Sequence, residues 1–345
     1  MKDRVFIIAE AGVNHNGCME MAKELIDVAM SAGADAVKFQ TYISEQVMTR
    51  YVGKAGYQEK NTGCGGSHLE MSKKLELSFE QFEKLKKYCD TVGILFLSTP
   101  FDHDSVDFLD HLVPLYKIPS GEITNLPLLA HIARKNKPVI MSTGMSNLEE
   151  IDRAVALLRR AGHPGADSPY PPLTLLHCTS NYPTAFADAN LRAIQTMQRH
   201  FADIPIGYSD HTVGIEAAIA AVALGARVIE KHFTLNRNLA GPDHKASIEP
   251  QELHQLVLAI RNVEAAMGSG EKVMVPCERE IRDIARRSLA AAADLKAGTV
   301  LTENMVAIKR PGTGISPVDL SSALGKRLKH HLHEDEVITW DDLEL

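Results

Sequence analysis

Eight short runs of β-type sequence alternate with helical patterns up to about residue 265, and this alternation limits the possible folds more than any other feature. The runs are Val5–Ala9, Ala36–Gln40, Ile94–Ser98, Leu115–Ile118, Val139–Ser142, Leu173–His177, Ile204–Tyr208 and Val228–Lys231. Between them the helical signals are strong. Met21, Leu25, Val28 and Ala29 recur on one helical face after Gly17. Ser78 with Gln81 has capping-box spacing ahead of Phe82, Leu85 and Cys89. Ser146 with Glu149 predicts a second box ahead of Ile151, Ala154, Val155 and Leu158. Leu253, Leu256, Ile260 and Val263 predict a last helix with Pro250 in its first turn. Eight such units permit an open doubly wound sheet or a closed (β/α)8 barrel. The turn Glu10-Ala11-Gly12-Val13-Asn14-His15-Asn16-Gly17 after the first strand is not the GxGxxG of a dinucleotide fold, and the count of eight predicts the barrel.

Two connections exceed ordinary length, residues 42–77 and 233–249. Both leave strand C-termini, so both are expected over the barrel mouth as lids. Past the polar stretch Gly268–Glu271 and a helical segment to about Arg286, the alternation stops and turn signals such as Lys296-Ala297-Gly298 and Pro311-Gly312-Thr313-Gly314 take over. The expected organisation is a barrel over 1–267, a linker over 268–286 and a small domain over 287–345, too small to be comfortable alone.

A net charge of -7 argues against a nucleic-acid partner, which normally meets a basic face. No apolar stretch approaches a membrane span, and the run Val5–Ala9 is too brief for a signal peptide. Five cysteines (Cys18, Cys64, Cys89, Cys178, Cys277), odd in number and without a CxxC pair, suit reduced thiols. A cytoplasmic protein is expected.

Polar clusters mark nearly every strand end: Glu10; Lys38 with Gln40; Ser98-Thr99; Lys117 with Ser120 and Glu122; Ser142-Thr143; His177 with Thr179; Ser209-Asp210-His211; and Glu230 with His232. One exposed strand end is ordinarily polar, but in a (β/α)8 barrel all eight converge on the mouth where such enzymes keep their active sites. Lys38 and Lys117, with the hydroxyls of Thr99, Ser120, Ser142 and Ser209, suit a phosphate or carboxylate. Ion pairing with Glu10, Glu122 or Glu230, and a Schiff-base lysine, are the alternatives. His211 and His232 end consecutive strands and suit Mn2+, Mg2+ or Zn2+ together with ligand oxygens. A structural or acid–base role is the alternative. His15, His177 and His244 carry less weight.

These residues lie in segments that closely resemble the bacterial sialic acid synthase family: IAEAGVNHNG (8–17), VKFQTY (37–42), STPFD (98–102), YKIPSGE (116–122), STGM (142–145), LLHCTSNYPT (175–184), GYSDHT (207–212), EKHFT (230–234) and GPDH (241–244). KRPGTGIS (309–316) resembles the start of that family's antifreeze-like, or SAF, domain motif. The resemblance spans essentially the whole chain and includes legionaminic acid synthases, with LEMSKKLEL (69–77) suiting either branch; pseudaminic acid synthases differ more around SGE.

The resemblance implies condensation of phosphoenolpyruvate with N-acetylmannosamine, or a 2,4-diacetamido-trideoxy analogue, and water, giving a nine-carbon 2-keto acid and phosphate. It implies that Lys38, Thr99, Lys117, Ser120, Ser142 and Ser209 bind phosphoenolpyruvate, and that His211 and His232 hold a divalent cation, Mn2+ or Mg2+. Glu10 becomes the candidate base, and Gln40, Tyr182 and Asp243 meet the sugar. Arg310 of the small domain reaches the N-acyl group, in the mouth of the other subunit of a domain-swapped homodimer. The chain departs from the pattern at Asn181, where relatives often carry a carboxylate before the Tyr-Pro pair. A Schiff-base or metal-dependent aldolase and a non-catalytic sugar-binding protein are the rival readings.

Overall fold

In the computed structural model, which describes residues 4–63, 65–160 and 168–344, eight parallel strands form one ring. They are β1 (Phe6–Gly12), β2 (Ala36–Thr41), β3 (Leu95–Pro100), β4 (Tyr116–Ile118), β5 (Val139–Ser142), β6 (Leu173–Cys178), β7 (Ile206–Asp210) and β8 (Val228–His232). Sequential strands pair from β4 to β8, β8 pairs with β1, and β1 continues through β2 to β3. The last two, β3 and β4, lie side by side without a ladder. Helices alternate with the strands, so this is a (β/α)8 barrel. Nearly all strand residues are buried, because one face of each strand meets helices and the other fills the barrel.

The period of two along each strand sorts the residues. Inside the lower barrel, Phe6, Ile8, Ala36, Leu97, Leu115, Ile140, Leu176 and Val228 form one apolar cluster. Gly207 completes it: a Cβ there would lie 2.6 Å from Leu176 Cδ2 and 2.9 Å from Val228 Cβ, so only glycine fits. A separate outer cluster, including Ile7, Leu25, Phe39, Phe96 and Ile229, joins strands to helices. Continuing the inward column by two residues from each apolar position reaches Glu10, Lys38, Thr99, Lys117, Ser142, Cys178 and Glu230. The same alternation therefore builds a dry floor and a polar mouth.

The helices follow their local signals with one correction. Ser78 accepts from Gln81 N and Gln81 returns the bond, opening helix Phe79–Val92, which ends at Gly93 in the left-handed conformation (φ 87). Pro250 opens helix Pro250–Met267 as expected. The expected Ser146–Glu149 box does not form. Asn147 Oδ1 accepts from Glu150 N at 3.0 Å and Glu150 Oε2 accepts from Asn147 N at 3.0 Å, starting helix Leu148–Arg160 one residue later. Met145 has φ 61 and Ser146 Oγ turns back to Gly144 O, so the chain is still in its turn where the serine would have capped. The long 42–77 connection is also no open loop: it folds into helices Ser44–Val47, Gly56–Thr62 and His68–Leu75.

The chain divides into two compact units, Met1–Gly268 and Ser269–Leu345. The second pairs β9 (Ser288–Ala291) antiparallel with β10 (Val306–Lys309) and adds isolated bridges such as Leu295↔Leu332 and Leu328↔Leu343. Its own core includes Leu289, Leu301, Ile315, Leu328, Ile338 and Leu343. Among the described residues no helix is long and apolar enough to cross a membrane. Cys18, Cys89, Cys178 and Cys277 are free thiols, and Cys64 lies outside the described residues.

Candidate active site

A cavity of about 1190 Å³ opens at the C-terminal ends of the strands, and every barrel residue to which the resemblance gives a role lines it. These are Glu10, Lys38, Gln40, Thr99, Lys117, Ser120, Ser142, Tyr182, Ser209, His211, His232 and Asp243. The strand-end series also contained residues that the alternation turns outward. Ser98 hydrogen-bonds Thr41 at 2.7 Å, His177 Nε2 meets Ala189 O at 2.8 Å, and Asp210 accepts from Lys231. None of these lines the cavity. Arg310 lies in the second unit, exposed, its Nε donating to Ala285 O at 3.0 Å.

Two ammoniums and two carboxyls occupy the floor of the mouth. Lys38 Nζ lies 2.6 Å from Glu10 Oε2 and 3.6 Å from Glu230 Oε2, and donates to Thr99 Oγ1 at 2.9 Å. Lys117 Nζ lies 3.5 Å from Glu230 Oε1 and donates to Ser142 Oγ at 2.8 Å and Ile118 O at 3.1 Å. Ser209 Oγ donates to Glu230 Oε1 at 2.9 Å. Backbone register explains the grouping: Glu10 stands level with Lys38 on β2 and with His232 on β8. Of the three carboxylates weighed as ion-pair partners, Glu10 and Glu230 take that part. Glu122 does not; it accepts from Asn125 Nδ2 at 2.7 Å.

The electrostatics split the carboxyl pair. Burial pushes Glu10 up to about 7, with Glu230 adding to the rise against the opposing pull of Lys38. Burial also pushes Glu230 up, but Lys117 and Lys38 outweigh it and hold that carboxyl low. Burial pulls Lys117 down, with Lys38 adding to the fall and Glu230 opposing it. Lys38 ends raised, because Glu10 and Glu230 outweigh its burial. Above them Asp243 is lifted to about 6 by burial.

Two imidazoles face each other across the rim, the His211 and His232 ring centroids 5.4 Å apart. His211 Nδ1 lies 2.7 Å from Thr179 O; a proton donated there leaves Nε2 as a lone-pair donor. His232 Nδ1 is buried without a hydrogen-bond partner, and burial followed by His211 and Lys38 keeps the ring far below its ordinary pKa, so it is neutral. Burial lowers the His211 pKa, but Cys178 and the Thr179 carbonyl outweigh it and leave it raised. The two imidazoles, with the Glu10 carboxyl level with His232, suit a divalent cation that takes its remaining ligands from water or substrate. Tyr182 packs on both rings, at 4.1 Å from His211 and 5.7 Å from His232.

The lid segments contribute residues that carried no sequence signal. Tyr57 stacks on Tyr182 at 5.3 Å, and Asn61 Nδ2 donates to Pro242 O at 2.7 Å, tying the first long connection to the second. Glu122 and Cys178 also line the cavity. Both stood in the quoted segments, and strand-end position was the signal available for each.

The sequence matches the NeuB family over residues 25–272 and the SAF domain over residues 286–344. The N,N'-diacetyllegionaminic acid synthase of Legionella pneumophila is 46% identical, over 98% of this chain and 94% of that protein. The protein of that name from Campylobacter jejuni is 47% identical, over 97% and 99%. Among solved structures, an N-acetylneuraminic acid (sialic acid) synthetase from Leptospira borgpetersenii in complex with citrate superposes with a TM-score of 0.70 at 38% identity, covering 81% of this chain and 90% of that one.

Proposed function

This chain belongs to the NeuB family, and from that premise we propose that it condenses phosphoenolpyruvate with an N-acylated amino-sugar aldehyde to give a nine-carbon sialic acid-type 2-keto acid and phosphate. The observation that carries the reading is the floor of the mouth, where Lys38 and Lys117 flank Glu230 within hydrogen-bond reach of Thr99 and Ser142. The two ammoniums and the hydroxyls of Thr99, Ser120, Ser142 and Ser209 hold the phosphate and carboxylate of phosphoenolpyruvate. Glu10, with its pKa near neutrality, takes the proton from the water that adds at C2. When Glu10 carries that proton, the cluster has two positive charges against Glu230 alone, which suits a polyanionic substrate. His211 and His232 hold a divalent cation, Mn2+ or Mg2+, which when bound polarises the acceptor carbonyl. Gln40, Tyr182 and Asp243 orient the sugar, and the 42–77 and 233–249 segments exclude stray water.

The 2,4-diacetamido-trideoxy acceptor is the reading better supported than N-acetylmannosamine. Relatives named N,N'-diacetyllegionaminic acid synthase are 46–47% identical over nearly the full length, against 38% for the sialic acid synthetase. A phosphate-release assay with phosphoenolpyruvate across a panel of N-acylated amino sugars tests both levels. Release is expected with the diacetamido sugar, abolished by chelation and restored by Mn2+ or Mg2+. No release with any acceptor sinks the synthase; full activity in metal-free protein sinks the cation.

The working form is a cytoplasmic homodimer in which Arg310 of one subunit reaches the sugar's N-acyl carbonyl in the other. The exposed guanidinium, presented beside Pro311-Gly312, and the free thiols support this reading. Co-refolding Arg310→Ala with His211→Ala is expected to restore activity, because one mouth of the mixed dimer then has both groups intact. If Arg310 serves its own barrel, the mixture stays as inactive as its parents.

A further inference from the structure

We propose that the small domain carries a surface site for a divalent transition cation of the Zn2+, Ni2+ or Cu2+ type, formed by Asp294, His331 and His333 and separate from the mouth. Among the described residues this is the one group of three or more metal-ligating side chains whose donor atoms all lie within 4.8 Å of one another.

The arrangement comes from the backbone. Leu295 and Leu332 form an antiparallel bridge with both hydrogen bonds made, Leu295 N to Leu332 O at 2.8 Å and Leu332 N to Leu295 O at 2.9 Å. Both leucines are buried in the core of the small domain. In an extended chain the neighbours of an inward residue point outward, so His331 and His333 emerge on one face, two residues apart. Antiparallel pairing puts Asp294, the residue before Leu295, opposite His333. The side chains agree: His333 Nδ1 lies 3.4 Å from Asp294 Oδ1, and the rings of His331 and His333 are 4.6 Å apart at 80°.

The cluster is held in place by groups that do not belong to it. Glu334 N donates to Asp294 Oδ1 at 2.9 Å, leaving Oδ2 for a ligand. Glu336 Oε2 accepts from His333 N at 2.6 Å, and Glu336 N donates to His333 O at 3.0 Å, so the backbone of His333 is fixed from both sides. The donor set of two imidazoles and one carboxylate favours borderline transition cations over Mg2+ or Ca2+, which prefer oxygen-only sites. The three groups are exposed, so water fills the remaining positions and exchange with bulk ions is unobstructed.

Tag-free full-length protein carrying His211→Ala and His232→Ala removes the histidines of the mouth, and calorimetric titration of that variant with Zn2+ and with Ni2+ reads the surface site alone. One equivalent bound in the micromolar range is expected. That equivalent should vanish when His331→Ala and His333→Ala are added and weaken with Asp294→Asn, while Mg2+ gives no heat in any of these proteins. No Zn2+ or Ni2+ binding by the first variant overturns the site, as does binding that survives loss of both surface histidines. Circular dichroism of each variant confirms that the fold is intact. The readout is binding, so it stands whatever reaction the mouth catalyses.

Discussion

Two buried lysine–carboxylate clusters lie on opposite faces of the same barrel wall, and their difference separates structure from function better than burial or charge does. On the outer face, where helix Glu216–Ala223 packs on β8, Lys231 donates to Asp210 Oδ2 at 2.7 Å and to Thr212 O at 2.5 Å. Asp210 Oδ1 accepts from Thr212 N at 2.9 Å and from Thr212 Oγ1 at 2.8 Å. That pair is closed: both carboxylate oxygens are engaged and neither residue lines the cavity at the mouth. On the inner face Lys38, Lys117, Glu10 and Glu230 are just as buried, yet Glu10 Oε2 and Glu230 Oε2 lack a well-directed hydrogen bond and the group borders open space. A buried ion pair made for packing satisfies itself, whereas one made for a ligand keeps capacity in reserve.

The largest contrast comes from removing one lysine of each kind. Lys117→Ala is expected to lower kcat/KM for phosphoenolpyruvate on the order of 10²–10³-fold, as for other lost electrostatic contacts, while sugar affinity changes little and the melting temperature falls less than in Lys231→Met, because Lys38 still faces Glu230. Steady-state kinetics with a thermal melt check both halves. An unchanged kcat/KM would make the inner cluster as structural as the outer one.

Lys231→Met should do the reverse. It leaves Asp210 buried without its cation, which costs about 3–5 kcal/mol in such pairs. Urea unfolding reads that loss, and activity per folded molecule should fall by much less than in Lys117→Ala. Replacing both partners, Asp210→Leu with Lys231→Met, should recover most of the stability, because no unpaired charge remains. If the double variant is as unstable as the single one, the outer pair supports the strand ends in a way that simple charge pairing does not explain.

A smaller contrast of the same kind concerns the neighbouring residues Ser146 and Asn147, only one of which is hydrogen-bonded as a cap. Asn147→Ala should cost about 1 kcal/mol and Ser146→Ala close to nothing, both measurable by chemical denaturation. Equal costs would return the helix start to the position that the Ser146–Glu149 spacing predicts.

That small correction shows why some of the molecule was legible and some was not. Both Ser-x-x-Glu at 146–149 and Asn-x-x-Glu at 147–150 have capping spacing, and the left-handed turn at Met145 selects between them. Strand-end position put Ser98, His177 and Asp210 in the same series as Thr99, Ser142 and Ser209. Only the inward or outward phase of each strand separates lining residues from packing ones. Tyr57 and Asn61 carried no signal, because they reach the cavity from the short helix Gly56–Thr62, whose sequence has little hydrophobic periodicity.

By itself the sequence determined the eight-fold alternation, the barrel, and the residue types gathered at the strand ends. Those follow from periodicity and local chain chemistry, which a linear pattern records in full. Tertiary structure alone decided that Glu230 sits between the two lysines, that Glu10 is lifted toward neutrality while Glu230 is held low, and that Lys231 is closed off by Asp210. Each of these depends on distances between strands far apart in the chain and on exclusion of water from between them, and a linear pattern fixes neither.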